Sequence, residues 1–315
     1  MKASDGTTLT PREAAIRAIV RTTVRPTLRG TLPLPLSRRL LQAATLSVPV
    51  RRGTQVRHGQ LAGVPVEVVR RRGGGTDEHV LLYLHGGGFV TGSPRTHRPL
   101  TAELAHHAGA TVVVPDYALA PEQPFPAAVD DVAAVYGALV ERGPARLTVA
   151  GDSAGGNLAV GLASTVSVAG TRAFDAVGAI SPFVDPTMPA GGTWDTADCA
   201  MLTRSGGESF RRDYTPGGEH LDPRVSVHLG PLAGLPPTLV QVGGAEALRD
   251  DSVLLAAKAA TAGAPLHVQE WPGMWHVHQS TPRLLPAADR AIVDLAAFLG
   301  DGTLAATARA AADFR

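Results

Sequence analysis

The chain has 315 residues, 44% hydrophobic and 18% charged, which excludes a disordered polyelectrolyte; its 35 glycines and 25 prolines follow no period, which excludes a collagen-like or low-complexity chain. A single cysteine, Cys199, excludes a disulfide framework, and a chain of this length buries enough apolar surface to need neither disulfides nor a structural metal. The net charge of +1 gives no overall field towards nucleic acid or membrane, although ten arginines against one acid, Glu13, make residues 7–66 locally basic.

The amino terminus has no apolar run after Lys2 and does not read as a secretory signal. The longest apolar-rich stretches, residues 80–84 and 160–169, are far too short to span a membrane, so a cytoplasmic location is expected. Within residues 11–47 the spacing of Ile16, Ile19, Val20 and Val24 predicts one amphipathic helix, and that of Leu36, Leu40, Leu41 and Ala44 a second. Pro26, Pro33 and Pro35 separate them. Residues 63–70 alternate like an outer strand, and the triple glycine Gly73–Gly75 marks a turn.

Beyond that turn, short apolar runs recur at residues 79–84, 111–115, 146–150, 176–180, 238–242 and 266–270. Helix-forming stretches lie between and after them, near residues 101–107, 127–139, 157–166, 252–262 and 287–299. Apolar strands alternating with helices predict an α/β fold with a parallel sheet covered on both faces. Residues 185–237 break this rhythm, being rich in Gly, Thr, Pro and Arg without an apolar strand. A structureless loop of that length does not suit a compact domain, so it is expected to form an inserted lid. The expected division is amino-terminal lid helices at 1–50, a core at 51–185 and 238–315, and a lid insertion at 186–237.

The strongest chemical signal is Gly151-Asp152-Ser153-Ala154-Gly155, placed between the strand at 146–150 and a helix-forming stretch. A serine at such a strand-to-helix elbow is held in a strained turn with its hydroxyl exposed at the carboxyl edge of the sheet, as a nucleophile requires. The second signal is His85-Gly86-Gly87-Gly88, at the end of the strand at 79–84. Consecutive glycines let backbone N–H groups approach a ligand, and with the N–H of Ala154 they can stabilise an oxyanion. A phosphate loop is disfavoured, because no Gly-Lys-Ser/Thr follows and no dinucleotide fingerprint can be built around these glycines.

With HGGGFVTGS, DYALAPEQPFPAAVDD and GDSAGGN in that order, the chain resembles the hormone-sensitive-lipase-like family of α/β-hydrolases, bacterial carboxylesterases among them, from about Val64 to Leu299. The resemblance implies an α/β-hydrolase fold: an eight-stranded, mostly parallel sheet with helices on both faces and a helical lid partly formed by the amino-terminal helices. It also implies that Gly87, Gly88 and Ala154 are the oxyanion-hole residues, and that Asp116 and Glu122 brace the loop carrying HGGG.

A serine nucleophile needs a histidine and an orienting acid, in the chain order Ser, Asp/Glu, His. His220 and His228 fall in the expected lid and His267 inside a strand, leaving Pro272-Gly273-Met274-Trp275-His276-Val277-His278. The family's motif there places His276 on the catalytic histidine and His278 where an aromatic is usual. The acid is expected after the strand at 238–242, where the sequence reads Gly243-Gly244-Ala245-Glu246-Ala247-Leu248-Arg249-Asp250-Asp251. The resemblance puts Glu246 on the position commonly held by aspartate, which keeps Asp250 in play. Asp250 and Asp251 also suit the first turn of a helix, where negative charge is favoured. A metal reading of His276-x-His278 or His106-His107 lacks a third ligand of recognisable spacing. Phe89, Phe183, Trp194, Leu202 and Trp275 can line an acyl pocket or serve as core.

These signals predict a serine carboxylesterase acting on small to medium acyl esters through Ser153, His276 and Glu246, with no cofactor and no metal. Its expected partner is a small-molecule ester, without nucleic acid and without stable membrane association; a homodimer is compatible with the same reading. A lactonase, amidase or acetylhydrolase would use an unchanged site. A ligand-binding relative on the same scaffold, such as the plant gibberellin receptors, lacks the catalytic histidine, and His276 argues against it.

Overall fold

The computed structural model describes residues 2–3, 5–74 and 77–314; Gly75, the last of the three glycines read as a turn, lies outside them. The chain begins with α1 (Pro11–Thr23), a 3-10 turn (Arg25–Leu28) and α2 (Leu34–Thr45). Thr10 caps α1, accepting from the Glu13 N–H while the Glu13 side chain accepts from the Thr10 N–H, and Pro11 takes the first turn, where no N–H is needed. The hairpin of β1 (Thr54–Leu61) and β2 (Val64–Arg71) turns on Ala62 and Gly63, both at positive φ. Then follow β3 (His79–Leu84), α3 (Pro94–His107), β4 (Thr111–Pro115), α4 (Ala127–Glu141), β5 (Arg146–Asp152), α5 (Ala154–Val168) and β6 (Val177–Ile180).

Residues 186–237 hold α6 (Thr193–Thr196), α7 (Arg204–Tyr214) and three single 3-10 turns. The core resumes with β7 (Thr238–Gly243), α8 (Arg249–Thr261), β8 (Leu266–Trp271), α9 (Pro286–Asp301) and the two-residue β9 (Arg309–Ala310).

The sheet runs β1-β2-β4-β3-β5-β6-β7-β8-β9, with the six strands from β4 to β8 parallel and β1, β2 and β9 antiparallel. The eight expected strands are thus joined by a short ninth at the edge. The alternating segment read as an outer strand is β2, one place in, and the edge itself is β1. Parallel strands buried on both faces explain the unbroken apolar runs. Leu82, Leu84, Leu147 and Val149 face α4, α5 and α8, whereas Leu81, Tyr83, Ala150 and Leu239 face α3 and α9.

Register brings the chemistry together. Leu84 pairs with Gly151, Asp152 with Ile180, Ile180 with Gln241 and Gly243 with Trp271. The loops after β3, β5, β6, β7 and β8 therefore leave one edge of the sheet side by side, where ligands of open α/β folds bind.

Candidate active site

β5 ends at Asp152 and α5 starts at Ala154, so Ser153 alone makes the turn, at φ 54° and ψ −119°. A residue with a side chain is strained there and persists only where its surroundings dictate the geometry. The Ser153 N–H donates to the Ile180 carbonyl at 2.8 Å, and the Ser153 carbonyl accepts from Phe183 N–H at 3.0 Å. The flanking glycines are demanded sterically: a Cβ on Gly155 would lie 2.0 Å from the Leu84 carbonyl oxygen, and one on Gly151 2.3 Å from that of Gly155.

The glycine loop leaves β3 beside this turn. Gly87 and Gly88 adopt φ 127° and 64° and, with Ser153 and His276, line one cavity of about 180 Å³. Ala154, the first residue of α5, is buried directly behind Ser153. Asp152 ties loop to elbow: its Oδ1 accepts from the Tyr83 hydroxyl at 2.7 Å and the Gly86 N–H at 3.1 Å, and its Oδ2 lies 3.3 Å from His97 Nε2. Burial alone would lower the His97 pKa, but the Asp152 charge and hydrogen bond outweigh it and raise it; the same pairing overcomes burial at Asp152 and lowers its pKa. The Tyr117 hydroxyl donates to the His85 carbonyl at 2.5 Å.

Glu122 and Asp116 were expected to brace this loop, and only Glu122 reaches it, indirectly. It accepts from Arg38 Nη1 and Nη2 at 2.7 and 2.8 Å, while Arg38 donates to the carbonyls of Val90 and Ala120 at 2.9 and 3.0 Å. Asp116 is exposed, and its neighbour Tyr117 does the bracing.

On the other side of the elbow, His276 Nδ1 donates to Glu246 Oε1 at 3.1 Å. Both side chains are buried. Glu246 Oε2 accepts from the Gly243 N–H at 2.7 Å and from the Ser181 hydroxyl at 2.8 Å. A buried carboxylate with three donors is satisfied as an anion and fixes the imidazole tautomer, leaving Nε2 as the basic nitrogen.

Residues 81–280 match the model of a family described by its alpha/beta hydrolase fold. An acetyl-hydrolase of Streptomyces hygroscopicus is 42% identical over 230 residues, covering 72% of this chain and 77% of that protein. An esterase of Acinetobacter venetianus is 36% identical over 248 residues, 78% of this chain and 81% of its own. A crystal structure of an esterase from the bacterial hormone-sensitive lipase family superposes with a TM-score of 0.87 at 34% identity, over 94% of this chain and 99% of that one. The chain belongs to the hormone-sensitive-lipase-like α/β-hydrolases.

In this hydrolase the rival acids are engaged elsewhere. Asp251 Oδ2 accepts from the N–H groups of Val184 and Asp185 at 2.7 and 2.8 Å, and Asp250 Oδ2 from that of Thr193 at 2.8 Å. They sit in the first turn of α8 as expected, yet their carboxylates reach across to pin the chain that follows β6. Burial pushes the Asp251 carboxyl up to about 8, against the two backbone donors that favour its charged form.

Ser181 escaped the sequence reading. It is buried at φ 45°, donates to Glu246 and accepts from the Val277 N–H at 3.3 Å, linking the acid to the histidine loop. No motif marks it; the only sequence signal is its place immediately after β6.

Of the five apolar candidates, Phe183, Trp194 and Leu202 line the cavity, whereas Phe89 stacks on Tyr214 at 3.8 Å and Trp275 is fully buried. The amino-terminal helices add Ile16, Val20 and Leu41. His278 is buried against Trp271, and burial lowers its pKa to about 3. His106 and His107 lie on α3, where His107 Nε2 is 3.4 Å from Glu103. Among the described residues no group of three His, Cys, Asp or Glu side chains could hold a metal.

Proposed function

We propose that this carboxylic ester hydrolase works through a Ser153-His276-Glu246 triad, with Gly87, Gly88 and Ala154 donating to the oxyanion. The observation that carries the reading is the shared cavity: a serine forced to positive φ at the end of β5, positive-φ glycines beside it, and a histidine held by a buried carboxylate. Ser153 Oγ attacks the ester carbonyl while His276 Nε2 takes its proton, and the negative charge on the carbonyl oxygen falls to the N–H groups. Collapse releases the alcohol with the proton returned from His276, and water repeats the sequence on the acyl-enzyme. Glu246 stays ionised throughout and stabilises the imidazolium.

The substrates are small to medium acyl esters. Support comes from the apolar lining of the cavity by Ile16, Val20, Leu41, Phe183 and Leu202, and from the relative named as an acetyl-hydrolase. The test is a panel of p-nitrophenyl esters of increasing chain length, with lactones and acetylated amines alongside, together with mass mapping after an organophosphonate. Label on Ser153 and turnover of the shorter esters are expected. Label elsewhere, or turnover confined to amides, would sink the assignment.

A further inference from the structure

α2 is apolar on two sides. Ser37, Leu41 and Ala44 turn inward, Leu41 and Ala44 into the cavity lining, as an amphipathic helix should place them. The exposed flank about 100° round the helix carries Leu36, Leu40 and Ala43, spaced by four and three residues and therefore stacked on one face, and the helix closes on Leu46. Leu36 and Leu40 are each 43% exposed and Leu46 is 62% exposed. Pro33 and Pro35 lie at the first turn of α2 and Pro26 in the 3-10 turn before it, so the stripe runs unbroken.

The stripe ends at the mouth of the active-site cavity. Ile19, 59% exposed, and the exposed Thr23 and Ser47 all line that cavity, so it opens between α1 and the end of α2, next to Leu46. Charge says what covers this face. Residues 11–52 contain nine arginines and one acid, Glu13. Arg17 and Arg21 pair with Asp198, Arg38 with Glu122 and Arg51 with Glu103. Arg25, Arg29, Arg39 and Arg52 make no ion pair among the described residues. Two copies of this chain meeting here would bring like charges together. A surface of anionic headgroups over acyl chains complements both the cations and the leucines.

We infer that the outer face of α2 docks on anionic lipid surfaces, with the cavity mouth against the lipid, so that esters dissolved there enter without crossing water. The binding itself does not depend on the proposed triad. The full chain sediments with vesicles of phosphatidylcholine mixed with phosphatidylglycerol, far less with phosphatidylcholine alone, and is released by salt. Leu36→Gln with Leu40→Gln weakens that partitioning about tenfold or more, and Arg29→Gln with Arg39→Gln about fivefold per arginine. None of these four residues lines the cavity, so melting temperature and hydrolysis of a water-soluble short ester stay at wild-type values. Ser153→Ala binds vesicles as the wild type does, which separates this inference from the triad. A wild-type chain left in the supernatant, or variants that partition unchanged, would overturn it. So would a dimer in solution that Leu36→Gln with Leu40→Gln splits, which would give the face to a second copy.

Discussion

At the carboxyl edge of the sheet, backbone geometry dictates position: Ser153 is forced to positive φ between two glycines that admit no Cβ, and Glu246 is held by three donors in a fully buried pocket. In α1 and α2 the cavity is roofed by side chains whose anchors are partly exposed ion pairs, Arg17 and Arg21 to Asp198 and Arg38 to Glu122. Strain and buried charge can be kept only where packing fixes every neighbour, so the proposed bond-breaking groups sit at the edge. The roof can change its side chains without disturbing them. On the proposed reading, chemistry and substrate choice are lodged in two separable regions, and substitutions in one should leave the other's readout alone.

The largest effect is expected at the elbow. Ser153→Ala keeps the fold and removes the proposed nucleophile, so turnover should fall by about six powers of ten, as loss of a triad serine does in a well-characterised protease, and organophosphonate labelling should vanish. A folded variant that retained either would move the chemistry away from β5.

Next in size is the acid. Glu246→Gln keeps the shape but lets the amide donate to His276, favouring the wrong tautomer, and turnover should drop by at least about two powers of ten. Asp250→Asn and Asp251→Asn should each lose less than about one, because their carboxylates serve backbone N–H groups after β6. The opposite ranking would transfer the role to α8. Asp251 adds a pH signature. Its folded pKa, about 8, lies above the ordinary carboxyl value of 3.8, so the folded state holds a proton that the unfolded state has lost, and stability falls as pH rises between those values. Both donors meet a single oxygen, Oδ2, which an amide oxygen can replace. Asp251→Asn should therefore gain in melting temperature relative to the wild type from pH 6 to pH 9, and a gap that narrowed instead would mean the carboxyl is ionised in the fold.

Smaller again is Ser181→Ala. It removes one donor from the buried Glu246 carboxylate, so kcat should fall about tenfold with KM unchanged. A purely structural serine would alter melting temperature and leave kcat where it was.

The same division explains what could be read in advance. β3 and β4 were legible to the residue, because strands buried on both faces must be apolar throughout, and the elbow was legible because its glycines are sterically obligatory. β1 was not: Thr54–Leu61 has a single buried residue, Leu61, and its pairing with β2 comes from the Ala62-Gly63 turn rather than from any apolar pattern. α3 starts at Pro94, seven residues before the expected stretch, because Ser93 caps it and Pro94 fits its first turn, and it carries Pro99 inside the helix. The Asp152-His97 pair and Ser181 join residues 55 and 65 positions from their partners, and only strand register, invisible to local spacing, brings them together.

The smallest expected effect tests the roof. Deleting the whole amino-terminal segment would mix two roles, because Asp5 accepts from the Gly273 N–H at 2.5 Å beside the histidine loop and Arg38 holds the chain after the glycines. Single truncations within the cavity keep those anchors. Leu41→Ala and Ile16→Ala each remove methyl groups from the lining on the side of α1 and α2, away from Ser153 and His276. The space gained suits a longer acyl chain, and each methylene newly buried is worth about fourfold in kcat/KM. The ratio of longer-chain to acetyl ester turnover should rise by that order, while kcat on the acetyl ester stays within about twofold, since uniform binding contributes nothing to the chemical step. Should the ratio stay fixed, α1 and α2 would be a cover without a part in selectivity. Should acetyl-ester kcat collapse instead, roof and edge would be mechanically coupled, and the separation drawn between them would fail.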